Sequence, residues 1–118
     1  MPKKKTTLEL SERQIEIQIL EYLNLKGIFA WKVKTMGTFD PVAKKFRTPS
    51  KYYITGQPDI SAIYQGKFIG IEVKSKTGKA SRNQLAFLQR IRENGGIAII
   101  ARSVEDVIGL VSTLGVAV

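Results

Sequence analysis

The stretch PDISAIYQGKFIGIEVK, residues 58–74, decides the fold of this chain. It contains two short apolar runs separated by a Gln-Gly-Lys turn, a pattern that predicts a β-hairpin. Because side chains alternate between the faces of a strand, Gly70, Glu72 and Lys74 share one face. A tight hairpin then brings Asp59 close to Glu72. Two carboxylates and an ammonium group on one sheet face indicate a hard-cation site, although an amphipathic hairpin with a solvated polar face is the alternative.

The charge balance indicates a polyanionic partner. The chain has 118 residues, with 19 Lys and Arg against 10 Asp and Glu, giving a formal net charge of +9. Such an excess on a chain of one-domain length favours nucleic acid as the partner. Simple solubility is the other explanation for the excess.

Two missing residue types restrict the chemistry. The sequence has no cysteine and no histidine, which excludes disulfides, thiolate or imidazole metal ligands and the Ser-His-Asp triad. Hydrolysis would therefore depend on carboxylates, lysines and Mg²⁺. No apolar run approaches the length of a membrane span, so we expect a soluble cytoplasmic protein with no membrane partner.

The remaining pattern predicts an α/β domain. A basic tail (residues 1–10) precedes a single domain (residues 11–118). Helices are predicted over about 12–26, 82–94 and 104–114, and strands over about 28–34, 59–64, 68–74 and 97–101. Residues 35–57 form a long loop, unusual in a small domain unless it is functional. The order αβββαβα predicts a mixed central sheet flanked by helices.

Three polar side chains on the predicted helices face the sheet. Glu12 and Glu16 project into the apolar sector of the first helix, where a carboxylate needs a partner or a cation. Glu12 also suits the helix dipole in the first turn. Glu16 is mid-helix, and a salt bridge to a lysine on a neighbouring strand is its structural alternative. Gln84 can reach the sheet, but with Ser81 it also completes a capping box.

The chain contains, in this order, the inward glutamate, Gly56-Gln57-Pro58-Asp59, Glu72-Val73-Lys74, and Gly78-Lys79-Ala80-Ser81 with Gln84. This series resembles the motifs of the PD-(D/E)XK nuclease superfamily. The resemblance is closest to the virus-type replication-repair nuclease (VRR-NUC) domain and covers about residues 11–111. It implies a restriction-endonuclease-like fold and a Mg²⁺-dependent endonuclease in which Mn²⁺ can substitute for Mg²⁺. It also suggests a bacterial or phage origin.

The resemblance implies a role for each matching residue. Asp59 and Glu72 would be the metal-binding carboxylates, with the Val73 carbonyl as a further ligand. Lys74 would be the catalytic lysine and Gln84 a supporting residue. The helix glutamate would be Glu16, with Glu12 as the alternative.

The remaining basic residues suit a DNA partner. The expected nucleic-acid contacts are Lys44, Lys45, Arg47, Lys51, Lys76, Lys79 and Arg82. Those in the long loop alternate with aromatic residues, which combines phosphate contacts with stacking surface. The resemblance implies a Holliday-junction-resolvase-like homodimer acting on branched or four-way DNA. A restriction-type or RNA-cleaving nuclease and a catalytically idle binding module remain alternatives. The apolar stretch 104–118 is a candidate dimer interface, or simply a helix that covers the sheet.

Overall fold

The computed structural model describes residues 9–33, 39–40, 45–46 and 51–116. Its helices are α1 (Glu12–Leu25), α2 (Arg82–Glu93) and α3 (Val104–Thr113). Its strands are β1 (Phe29–Lys32), β2 (Phe39–Asp40), β3 (Lys45–Phe46), β4 (Ile60–Tyr64), β5 (Lys67–Val73) and β6 (Ile97–Ala101). All the predicted helices and strands are present, with ends shifted by up to two residues.

The central sheet is mixed, as predicted. Its strand order is β1-β4-β5-β6, in which β1–β4 and β4–β5 are antiparallel and β5–β6 is parallel. Helix α2 makes the crossover between the two parallel strands, so the fold is the α/β arrangement expected from the sequence. The predicted loop differs in one respect, because β2 and β3 form a short antiparallel pair within it.

The β4–β5 hairpin has the register that the sequence required. Ile60 lies opposite Ile71, and Tyr64 lies opposite Lys67 across a two-residue turn. Both turn residues have positive φ, +50° at Gln65 and +77° at the following glycine. This is the pattern of a type I′ turn, whose twist matches that of the flanking strands.

Helices α1 and α3 cover one face of the sheet. The predicted stripe of α1 (Ile15, Ile19 and Leu23) is buried, and so are Val107 and Val111 of α3. They pack with the inward residues of β4 and β5 in one hydrophobic cluster. The stripe fixes α1 against the sheet and therefore determines where Glu12 and Glu16 lie.

Helix α2 covers part of the opposite face, with Leu88 buried. A Cβ atom built on Gly70 would lie 2.7 Å from Cδ1 of Ile91 and 2.9 Å from Cγ of Pro58. Gly70 shares the sheet face of Glu72 and Lys74, and its missing side chain allows α2 and Pro58 to approach the sheet closely.

Most apolar side chains of the C-terminal stretch pack against the core of the same chain. Besides the two buried valines of α3, Leu110, Leu114 and Val116 are partly buried against the same core, whereas Ile108 is exposed. Most of this apolar surface is therefore explained by a helix that covers the sheet.

Within the described residues, no helix is long and apolar enough to cross a membrane. Residues 1–8 of the basic tail lie outside the described part of the chain.

Candidate functional site

Asp59 and Glu72 form a carboxyl pair at one end of the β4–β5 hairpin. Continuing the register one step beyond Ile60 and Ile71 places the two acids opposite each other. Asp59 Oδ2 accepts a hydrogen bond of 2.8 Å from the backbone amide of Val73. Glu72 is only 1% exposed, and its Oε2 is buried without a hydrogen-bond partner. Glu72 is thus shielded from bulk water, whereas Asp59, just before β4, is half-buried.

This environment holds Glu72 in its protonated form. Burial is the main reason that the pKa of Glu72 rises from 4.5 to about 9, followed by the hydrogen bond to Asp59 and the negative charge of Asp59. The charge of Lys74 opposes this rise in pKa, and the charge of Glu12 adds to it. At neutral pH, without a bound cation, Glu72 is therefore neutral and can donate a hydrogen bond to Asp59.

Lys74 completes the predicted group on the same strand face. Its Nζ lies 3.9 Å from Glu72 Oε1, and its side chain is 13% exposed. A carboxyl pair with an ammonium group at its open end can bind a cation through its oxygens. The ammonium group can also stabilise negative charge on a bound ligand.

Glu12, rather than Glu16, contacts the segment that follows β5. Glu12 Oε1 accepts a hydrogen bond of 3.3 Å from the Ser75 amide. Glu16 instead lies 3.3 Å from Lys32 Nζ. The salt-bridge alternative for Glu16 is therefore the arrangement observed, and a metal-binding role for Glu16 stays a prediction.

Gln84 has the capping role that its position allowed. Its Oε1 accepts from the Ser81 amide at 2.8 Å, while its own amide donates to Ser81 Oγ at 3.2 Å. The start of α2 also contacts the segment that leads to Asp59, since Asn83 Nδ2 donates to Thr55 Oγ1 at 3.1 Å. The capped helix end therefore helps to place Asp59.

Gly56 allows this contact between the segment and the helix. Its φ is +85°, and a Cβ atom there would lie 2.5 Å from the carbonyl carbon of Asn83. A side chain would therefore clash with backbone as well as strain the local conformation. Gly56 of the Gly-x-Pro-Asp motif is thus explained by close packing before the first acid.

Arg102 is a positioning residue that the sequence reading missed. Its guanidinium donates to three carbonyl oxygens of the loop after β5, at 2.6 Å to Ser75, 3.4 Å to Lys76 and 2.7 Å to Gly78. Its own amide donates to Asp106 Oδ2 at 2.8 Å. The only available signal was an arginine directly after a strand that ends beside the site.

The predicted nucleic-acid contacts divide into two groups. Lys76, Lys79 and Arg82 are exposed in the loop and helix start next to the site. Lys51 is exposed, with its Nζ 5.2 Å from the ring centroid of Tyr52. Lys44, Arg47 and the side chain of Lys45 lie outside the described residues.

The oxygen atoms of the carboxyl pair suit a hard cation, but the pair supplies few ligands. Among the residues that the structure describes, no three acidic side chains come close enough to hold one ion. Asp59 and Glu72 offer hard oxygen donors, including the unpartnered Oε2 of Glu72. A small oxygen-preferring ion that keeps several of its waters is consistent with so few protein ligands.

The raised pKa of Glu72 predicts how stability depends on pH. The folded protein keeps a proton on Glu72 up to about pH 9, whereas the unfolded chain releases it near 4.5. The contribution of Glu72 to the free energy of unfolding should therefore fall as pH rises through this window. Denaturant titrations with a chelator present measure this dependence. Glu72→Gln is the matched control and should remove it. Equal slopes in the two proteins would contradict a protonated Glu72.

Alanine substitutions at Glu12 and Glu16 should separate the roles of these two acids of α1. Glu16→Ala loses an ion pair to the exposed Lys32, worth about 0–1 kcal/mol, and should leave any activity of the site nearly unchanged. Glu12→Ala removes the acceptor for the Ser75 amide and a favourable helix-dipole charge, together about 1–2 kcal/mol. Melting curves and activity measurements on both variants test this. A larger loss of activity in Glu16→Ala than in Glu12→Ala would show that Glu16 takes part in the site.

The comparisons with known proteins identify the fold. No family model matches the chain, and no curated protein matches it. A solved structure described as a VRR_NUC domain superposes with a TM-score of 0.63 and 19% identity, covering 87% of this chain and 97% of its own. Another, a VRR_NUC domain protein, gives a TM-score of 0.56 and 16% identity, covering 88% and 87%. The chain therefore has the fold of VRR_NUC domains, as its motifs suggested.

Proposed function

We propose that this protein is a Mg²⁺-dependent, structure-specific DNA endonuclease. The observation that carries the proposal is the Asp59–Glu72 pair with Lys74 Nζ 3.9 Å from Glu72. The group stands at the end of a sheet whose fold matches domains named as nucleases. Two acids and a lysine at such a position suit hydrolysis of a phosphodiester, in which water adds to phosphorus and the bond to the leaving oxygen breaks.

Each residue of the site has a distinct role in this proposal. Asp59 and Glu72, with the Val73 carbonyl, would hold the ion, and the hydrogen bond from the Val73 amide keeps Asp59 in place. A Mg²⁺ ion bound there would lower the pKa of a water ligand and polarise the phosphate. Lys74 would orient the attacking water or neutralise the charge that develops on the phosphate oxygens. Mn²⁺ should substitute for Mg²⁺.

The surroundings of the site suit a nucleic acid. Lys76, Lys79 and Arg82 are exposed beside it, on a chain with a net charge of +9. Exposed cations bind phosphates without reading bases, which favours recognition of shape over sequence. Arg102 holds the loop that carries two of these cations, because its guanidinium contacts the carbonyls of Ser75 and Gly78.

Substitutions in the acid–lysine group should abolish cleavage without unfolding the protein. Asp59→Asn, Glu72→Gln and Lys74→Ala each alter polar groups and leave no large core cavity. Activity on labelled DNA, measured with and without Mg²⁺, should fall by at least about a hundredfold. Glu93→Gln, on an exposed part of α2, is the control. A Lys74→Ala protein that cleaves at the wild-type rate would contradict the proposed site.

The proposed substrate is branched DNA, cut by a homodimer. Resolving a four-way junction needs two symmetric cuts, which a two-fold dimer supplies. Light scattering should report a dimer, and cleavage should favour four-way junctions over flapped and linear duplexes. Binding affinity should fall steeply with salt through counterion release. A monomer that cuts linear DNA as readily as junctions would exclude the resolvase proposal but not the nuclease proposal. Cleavage of RNA instead of DNA would show that the substrate is RNA.

A further inference from the structure

An exposed aromatic platform lies on the same sheet face as Glu72 and Lys74. It consists of Phe29 and Trp31 on β1, Ile63 on β4 and Phe68 on β5, which are 68%, 37%, 40% and 36% exposed. The Phe29 and Trp31 rings are in contact, with centroids 4.9 Å apart and planes inclined by 40°. Large apolar side chains grouped at a surface mark a place where a partner binds.

The strand register fixes where the platform lies relative to the site. Phe29 is paired with Ile63, and Ile63 with Phe68, so these three form a row across the sheet. Trp31 is paired with Ser61, in the next row towards Asp59. Rows on one face are two residues apart, about 7 Å. The platform is therefore one to two rows, roughly 7–14 Å, from the acid pair.

This spacing matches the dimensions of a nucleic-acid strand. At about 3.4 Å per nucleotide along a duplex strand, the platform corresponds to about two to four nucleotides from a phosphate held at the acid pair. Aromatic rings on an open sheet face are a sequence-tolerant surface for stacking unpaired bases. The net charge of +9 draws in the phosphate backbone, which favours a nucleic acid over an uncharged apolar partner on this face.

We infer that unpaired nucleobases of the substrate strand stack on Phe29 and Trp31. The inference rests on the proposed nuclease function and adds a specificity: strands that are single-stranded, or opened at a branch, beside the cleaved phosphate bind better than closed duplex. Phe29 and Trp31 act here as binding residues, while the acids and Lys74 do the chemistry. Ribose and deoxyribose strands present the same base faces, so the platform itself recognises bases rather than the sugar.

Trp31 provides a direct measurement, because it is the only tryptophan in the sequence. The full chain, kept with a chelator so that no cleavage occurs, is titrated with short oligothymidylate, oligouridylate, an abasic strand of equal length and a blunt duplex. Both base-carrying single strands should quench Trp31 fluorescence, and the abasic strand and the duplex should not. A difference between the thymidylate and uridylate arms reports the sugar and the C5-methyl group of thymine together.

Variants of Phe29 give a second readout. Phe29→Ala removes one stacking ring, and Phe29→Leu keeps an apolar side chain without the ring. Both should weaken oligothymidylate binding by roughly 5- to 100-fold and leave the affinity for the abasic strand unchanged. Leu25→Ala is the matched control, since Leu25 is 83% exposed on α1 and should bind like the wild type. Phe29 is itself exposed, so neither change should unfold the protein.

The outcomes separate this inference from the nuclease proposal. Equal quenching by abasic and base-carrying strands would contradict base stacking on Phe29 and Trp31. Wild-type affinity in both Phe29 variants would contradict it as well. Phe29 variants that lose self-association but keep nucleotide affinity would also overturn it, in favour of a second copy on this face. Failure to cleave any substrate with Mg²⁺ would instead overturn the nuclease, because binding is measured without cleavage.

Discussion

The placement of Asp59 against Glu72 across two adjacent strands is the constraint on which the rest of the site depends. Two adjacent carboxyl groups, one of them fully buried, cannot both be ionised without help. The Val73 amide and the Lys74 ammonium group provide favourable contacts, and a proton on Glu72 relieves the remaining repulsion. A divalent cation could replace that proton and bring positive charge to the same oxygens. In the proposed metal-binding role, a proton and a cation would therefore compete for one position.

The sheet that carries this pair has two different faces. One face, under α1 and α3, is an ordinary hydrophobic core that includes Ile19 and Ile71. The other face is covered only in part, by α2, with Leu88 as its most buried residue. The acids stand on this second face beside exposed aromatic side chains. Stability is thus concentrated on one side of the sheet, and the side that can bind ligands keeps polar and aromatic groups at its surface.

The fold and the acid pair were predictable because they depend on local patterns. Alternation along β5 placed Glu72 and Lys74 on one face, and a two-residue turn fixed the register that brings Asp59 opposite Glu72. The capping box of Ser81 and Gln84 is equally local. In each case the groups that interact are close in sequence or joined by a tight turn.

The contacts that could not be predicted join distant parts of the chain. Glu12 and Glu16 lie one turn apart on the same helix face, so periodicity cannot tell which of them reaches the site. The choice depends on how far α1 slides along the sheet, which the packing of its apolar stripe decides. Arg102 binds backbone carbonyls rather than side chains, and carbonyls are the same at every position. Such an interaction leaves little trace in a sequence.

The turn between β4 and β5 has a practical consequence for protein engineering. Gln65 and Gly66 are exposed, and nothing lies within 4 Å of a Cβ built on Gly66. The turn is five residue pairs from the Asp59–Glu72 pair, about 17 Å along the ladder. A fluorophore attached through the exposed side chain at position 65 would keep the two-residue turn, and with it the register that places the acids. The hairpin that builds the chemistry at one end thus offers an attachment point at the other.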